Sequence, residues 1–263
     1  MRATQRVSVI ALFLFAHFSA WAQKDALPSD ADLAAITARG RMLAAYDVAA
    51  WHATDAVQAL HPPDGAVTRY IASKKDSGWE VAFGRLNTAR DRFLIAYLAT
   101  QAASPKEFTV QTFDPPREET GFYLVAAKGL DTVLSDFKGE KRSYNVSVLP
   151  TDSGQLYVYV LPAQTKNDVY LYGGDVRYLI SADGTTIVEK RQMHKAILEF
   201  KQPADKNKKL VTGMHGHVLS NFPEDSDVFY VLTRRPLLPE VVVTPDRMMY
   251  TIAVDGTITP KKM

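Results

Sequence analysis

Cysteine is absent from all 263 residues. Disulfides, thiolate metal sites and a lipid-bearing cysteine are excluded together, so stability has to come from packing. An excess of charge of one sign is missing too. The chain carries 31 basic side chains against 29 acidic ones. Setting aside Arg2 and Arg6, which belong to the leader described below, leaves 29 of each and a formal net charge of zero. Affinity for phosphate backbones scales with the number of cations engaged, so no nucleic-acid partner is expected. The densest basic stretch, Lys201 to Lys209, offers no aromatic for bases to stack on and reads as a solvated loop. Beyond the leader no apolar run is long enough for a bilayer, which takes about 20 residues. Also missing are the Gly-x-Ser-x-Gly elbow, the phosphate-cradling Gly-x-x-x-x-Gly-Lys, the His-Glu-x-x-His helix and the dinucleotide fingerprint.

The N-terminus reads as an export signal. Arg2 and Arg6 give a basic start, and Val7 to Phe18 form an apolar run broken only by Ser8 and His17. Ala20-Trp21-Ala22 supplies the small-x-small pattern of a cleavage site. This predicts a signal peptide over 1–22 and a mature body over 23–263, located in a periplasm or outside the cell. That body suits a single domain, with a sub-boundary available near 138–143, where Lys138-Gly-Glu-Lys-Arg-Ser is polar.

Two helices are expected. Ser29 and Asp32 have the spacing of a capping box, and Leu33, Ile36, Gly40, Leu43, Tyr46, Ala50, Ala53 and Val57 draw one stripe. This helix covers about 30–60, ends at His61-Pro62-Pro63, and could break at Gly40. The second covers about 119–137, with Glu118 and Glu119 at its start, after a break at Asp114-Pro115-Pro116. Most of the remainder reads as strand, including Val211 to Leu219 and Val228 to Thr233; the apolar run Arg92 to Thr100 fits a buried strand or a helix, with strand favoured by the turn-like Asn87 to Asp91 before it. Asp183-Gly184 and Asp255-Gly256 mark hairpins. The order of elements predicts an α+β fold with a largely antiparallel sheet.

Chemistry concentrates at Met214-His215-Gly216-His217. Residues two apart on a strand share a face, so His215 and His217 can meet one ion. Glu224, Asp225 and Asp227 follow, and His194 lies upstream. Asp225 and Asp227 are the carboxylate candidates. Two histidines and a carboxylate with an open position would suit a catalytic zinc. The same pair also suits two hydrogen-bonded imidazoles, and Asn221 to Asp227 also reads as a turn-rich loop. The stretch is similar to the metal motif of JAMM-type zinc peptidases, in which His-x-His precedes a serine and a metal-ligating aspartate. Here His215 and His217 match, Ser226 matches loosely, and the aspartate position falls on Val228.

Other candidates are weaker. His52 and Asp55 are three apart on the first helix, beside Trp51, where a small cleft is conceivable. Ser135 and Lys138 have the Ser-x-x-Lys spacing of penicillin-interacting enzymes, without their later motifs. Tyr157 and Tyr159 share one strand face and Tyr170 and Tyr172 another; such a surface would suit a protein or carbohydrate ligand, or else form a half-buried sheet face. The favoured expectation is an exported, non-catalytic binding module engaging its partner through these tyrosines. The alternative is a zinc hydrolase centred on His215 and His217.

Overall fold

The computed structural model describes residues 27–166, 169–201 and 210–263. The expected leader over 1–22 lies outside them, as do residues 202–209 of the lysine-rich stretch. Three helices and fourteen strands occur among the described residues. The strands form mostly antiparallel sheets, so the class is α+β. Among the described residues no helix is long and apolar enough to cross a membrane.

Helix α1 (Asp30–Gln58) starts where its sequence predicts. The Ser29 hydroxyl accepts from the Asp32 amide at 3.2 Å, and the Asp32 carboxylate accepts from the Ser29 amide at 2.9 Å. Two N–H groups that a helix leaves free are thereby satisfied. The helix does not break at Gly40. This glycine is a point of close approach instead: a Cβ there would meet Val228 Cβ at 2.5 Å and the Asp225 carbonyl at 2.6 Å.

The first sheet is an antiparallel meander of β1 (Arg69–Lys75), β2 (Gly78–Leu86), β3 (Phe93–Gln101) and β4 (Phe108–Glu119), in that spatial order. Pro115 and Pro116 do not end the strand. They lie where the register jumps from Tyr97↔Thr112 to Ile95↔Arg117, on the edge strand β4. Proline is tolerated there because a bulge at an edge needs no ladder donor. Helix α2 (Phe122–Asp136) therefore starts later than expected. Glu118 and Glu119 still belong to β4, and Glu119 Oε1 accepts from the Gly121 amide at 2.6 Å.

The second sheet contains β5 (Tyr144–Pro150), β6 (Leu156–Pro162), β8 (Val176–Ile180) and β9 (Ile187–Gln192) in the order β5-β6-β8-β9. Strand β7 (Val169–Gly173) leads into β8, and β9 leads back to β10 (Ile197–Lys201), which pairs with β7. One long hairpin thus runs through both pairs and bends between them. Gly173 and Gly174 take φ of 76° and 66° at the bend, a region that costs most other residues strain.

The third sheet is β11 (Gly213–Gly216), β12 (Glu240–Val243), β13 (Met248–Ile252) and β14 (Ile258–Lys262). Its β11–β12 pair is parallel, against the antiparallel rule followed elsewhere. Crossover between those two strands is made by α3 (Asp225–Thr233), which replaces the strand expected over Val228 to Thr233. An apolar run this short fits either state; burial on all sides removes the periodicity that would separate them.

Helix α2 buries Ala126, Leu130 and Val133 against Ile71, Phe93 and Ile95 of the first sheet and Val148, Val158 and Ile180 of the second. The apolar core is therefore continuous across residues 138–143. Helix α1 joins a second cluster through Leu43, Tyr46 and Ala50 to a third through Leu33 and Ile36, where it meets Val228 and Val231 of α3 and Val242, Tyr250 and Ile252 of the third sheet.

Gly40→Ala tests the α1–α3 approach. Alanine gains about 1 kcal/mol of helix propensity, but a Cβ 2.5 Å from Val228 and 2.6 Å from backbone forces two packed helices apart. Overpacking of this kind costs about 1–3 kcal/mol or more. Chemical denaturation should give a net loss of stability, and a gain would mean that the helices can separate freely at this point.

Candidate metal centre

Three elements and a bend bring one set of side chains together. On β11 the alternation of a strand turns His215 inward while Met214 is exposed, and His217 follows on the same face. His194 comes from the returning arm of the long hairpin, between β9 and β10. Asp227 stands in the first turn of α3, where its Oδ2 accepts from the Glu224 amide at 2.7 Å. Single donor atoms of His194, His215, His217 and Asp227 all lie within 4.8 Å of one another.

The orientation of the rings is set from behind. His194 Nδ1 lies 2.7 Å from Asp175 Oδ1, at the hairpin bend. His215 Nδ1 lies 2.9 Å from Glu240 Oε1, across the parallel β11–β12 pair. His217 Nδ1 lies 3.0 Å from the Phe222 carbonyl and 2.9 Å from Ser220 Oγ, which itself donates to that carbonyl. Carboxylates and carbonyls only accept, so each Nδ1 carries its proton toward its partner. Every Nε2 is left facing the centre. His194 and His215 Nε2 each lie 3.1 Å from Asp227 Oδ1, and His217 Nε2 lies 3.1 Å from Oδ2. The Nε2 atoms of His194 and His217 stand 2.9 Å apart.

Two neutral imidazoles would point lone pairs at each other across that gap, which is repulsive unless something positive lies between. A proton can do this, and so can a metal ion. Around a tetrahedral zinc with bonds of about 2.0–2.1 Å, adjacent donor atoms sit about 3.3 Å apart, close to the spacings here. Imidazole donors backed by carboxylates or carbonyls are also the usual outer shell of a metal-ligating histidine. The donor set His194, His215, His217 and Asp227 could thus hold one divalent ion.

The chain matches no known protein family, curated protein or solved structure.

The sequence candidates separate. Asp225 is not in the cluster. Its carboxylate accepts from Arg39 at 2.9 Å, Arg177 at 2.6 Å and Tyr159 at 2.8 Å. Glu224 is held by Arg191 at 2.6 Å. Successive residues at the start of a helix point about 100° apart, so three nearby acids serve three different neighbours. Val228, at the aspartate position of the JAMM-type motif, is buried in the third core cluster, so that ligand pattern is not reproduced. Asp175, Glu240 and Ser220 escaped notice in the sequence, because each reaches its histidine through the fold rather than through local spacing.

The tyrosines do not form an exposed patch. Tyr159 and Tyr172 are buried, while Tyr157 and Tyr170 are half-buried. Tyr159 is spent on Asp225, and the Tyr172 hydroxyl accepts from Arg234, which also holds Glu240 at 2.7 Å. Trp51 is exposed and stacks on His52 at 4.8 Å. Ser135 near the end of α2 donates to the Asp131 carbonyl, and Lys138 Nζ donates to the Ser135 carbonyl, so that pair forms no nucleophile–base contact.

Protons and metal compete for this cluster. Burial disfavours charge on His194, yet Asp175 and Asp227 together hold its pKa well above the ordinary value. Burial also opposes charge on His215, and its bonds to Asp227 and Glu240 outweigh that, raising its pKa to about 9. Asp227 is lowered well below the usual range by the neighbouring histidines, in spite of complete burial. Unfolded histidine titrates near pH 6.5. In metal-free protein the two raised histidines therefore stabilise the fold fully below about pH 6.5, and for His215 that contribution disappears as pH rises through about 9. Protein stripped with a chelator should lose melting temperature across this window. A flat or rising profile would contradict the paired state of these rings.

Proposed function

We propose that this chain is an exported, non-catalytic metal-binding protein that holds one divalent transition-metal ion, zinc being the best fit, on His194, His215, His217 and Asp227. The observation that carries this reading is the convergence of three Nε2 atoms on one carboxylate, with all three Nδ1 atoms committed to acceptors behind them. Imidazole and carboxylate donors suit zinc and its neighbours rather than soft monovalent ions. Charge supports the same choice. Asp175, Asp227 and Glu240 bring three negative charges and Arg234 one positive, which leaves the cluster two positive charges short. The leader read at residues 1–22 supports a periplasmic or extracellular setting.

A hydrolytic zinc keeps one position for water. Here four protein side chains already offer as many donors as a closed zinc site takes, and the side chains of His217 and Asp227 are 1% and 0% exposed. That closure favours holding an ion over activating water on it, and so favours the binding module over the hydrolase.

Purified protein should take up zinc at one ion per chain and gain melting temperature as it does so, because a ligand that binds only the native state stabilises it. The gain should grow between pH 6 and 9 as protons leave the imidazoles. Replacing both His215 and His217 by alanine should abolish uptake. Asp175→Asn keeps an acceptor oxygen but removes the charge behind His194, and should weaken binding by about 10- to 100-fold. Asp225→Asn removes no donor atom, so protein that still folds should keep one site per chain, but with lower stability and weaker uptake, because Asp225 ties α3 to Arg39, Tyr159 and Arg177. If the wild-type chain binds no zinc, cobalt, nickel or copper in calorimetry, or if a folded double-alanine variant binds as well as wild type, the proposal fails.

A further inference from the structure

A cavity of about 550 Å³ is lined in part by Tyr172 and by none of the four metal-centre side chains. The Tyr172 ring lies 5.9 Å from that of His215, so one aromatic wall serves both. Asp47 and Trp51 enter the cavity from α1, one turn apart, and Tyr70 comes from β1, Tyr170 from β7 and Tyr230 from α3. Two charged side chains line this space, Asp47 and Arg234. Nη1 and Nη2 of Arg234 are already committed to Glu240, to the Tyr172 hydroxyl and to the carbonyls of Leu238 and Pro239, while its buried Nε has no partner among the described residues. Asp47 has no ion pair or hydrogen bond among the described residues.

A half-buried carboxylate without a cation is costly. Its removal from water pushes the Asp47 pKa up to about 6, and the same charge helps to hold Tyr70 up at about 12. At neutral pH the group is still mostly ionised. Aromatic faces carry negative charge density and attract cations within about 6 Å, most strongly when the cation is desolvated. A carboxylate set among such faces is matched by a positive ligand with an apolar coat. Thr54, Asn145, Gln164 and Thr233 also line the cavity, but Asp47 is its one carboxylate, which matches a single positive charge better than a hard divalent ion.

We propose that this cavity binds an organic monocation, a quaternary ammonium or alkylated amine, whose charge is met by Asp47 and by the faces of Trp51, Tyr70 and Tyr170. The site is separate from the metal centre and does not depend on an ion being bound there. A free small molecule and a lipid headgroup can carry the same group, and the experiment distinguishes them.

Purified protein would be titrated with choline and phenyltrimethylammonium, following tryptophan fluorescence and heat. Parallel titrations would use the neutral isosteres 3,3-dimethylbutanol and tert-butylbenzene. Saturable binding of the cations is expected, at least about tenfold tighter than of the isosteres. Asp47→Asn should remove that preference, with an unchanged circular dichroism spectrum and cooperative melting as the control for folding. Phosphatidylcholine vesicles are the second arm. Binding to free choline identifies the small molecule as the carrier, and co-sedimentation that Asp47→Asn abolishes identifies the headgroup. Equal binding of cation and isostere, cation binding that survives Asp47→Asn, or no saturable binding in either arm would overturn the assignment.

Discussion

Asp225 accepts from Arg39 on α1, from Tyr159 on β6 and from Arg177 on β8, and it is itself 0% exposed. Three elements far apart in sequence are tied to the first residue of α3 by one carboxylate. Burying so much charge is favourable only because every partner is present; removing one side of such a group typically costs about 3–5 kcal/mol. The position of α3 follows from this contact and from the Gly40 approach, and the position of Asp227 follows from that of α3. The cluster of imidazoles is therefore set by an ion-pair network that includes none of its own members.

The hairpin bend makes the second contribution. A regular ladder from β7 through β8 would have carried residues 173–175 in plain pairing with the returning arm. Two glycines at positive φ interrupt it, and the interruption turns Asp175 and His194 toward each other. Irregular backbone placed where polar side chains must converge is a common use of bends and bulges. β11 contributes the third part, since only a strand puts His215 and His217 on one side. The parallel pairing to β12 then sets Glu240 behind His215.

Much of the fold was legible from local pattern. The capping box at Ser29, the stripe along α1 and the two Asp-Gly hairpins are all dictated within a few residues, and they are found where the sequence puts them; the run Arg92 to Thr100, which fitted strand or helix, is strand β3. What failed was local pattern read where tertiary context decides. Pro115 and Pro116 end a helix or an inner strand, but not an edge bulge. The apolar run from Val228 is periodic for neither state, although the acids at 224, 225 and 227 are the charges favoured at a helix start and could have tipped the reading. At the site, His215 and His217 were visible because their spacing is a property of one strand. Asp227 was one of two carboxylate candidates, His194 stood out only as a histidine upstream, and Asp175 and Glu240 not at all. Asp225 and Asp227 are alike in sequence, and only packing assigns one to arginines and the other to imidazoles.

The charge deficit around the imidazoles has a consequence for electron transfer. Two positive charges make the buried cluster neutral, whether a divalent ion or two protons provide them. An ion that changed valence in place would leave this buried cluster one charge out of balance. Such surroundings penalise redox cycling by iron or copper and suit an ion of fixed valence.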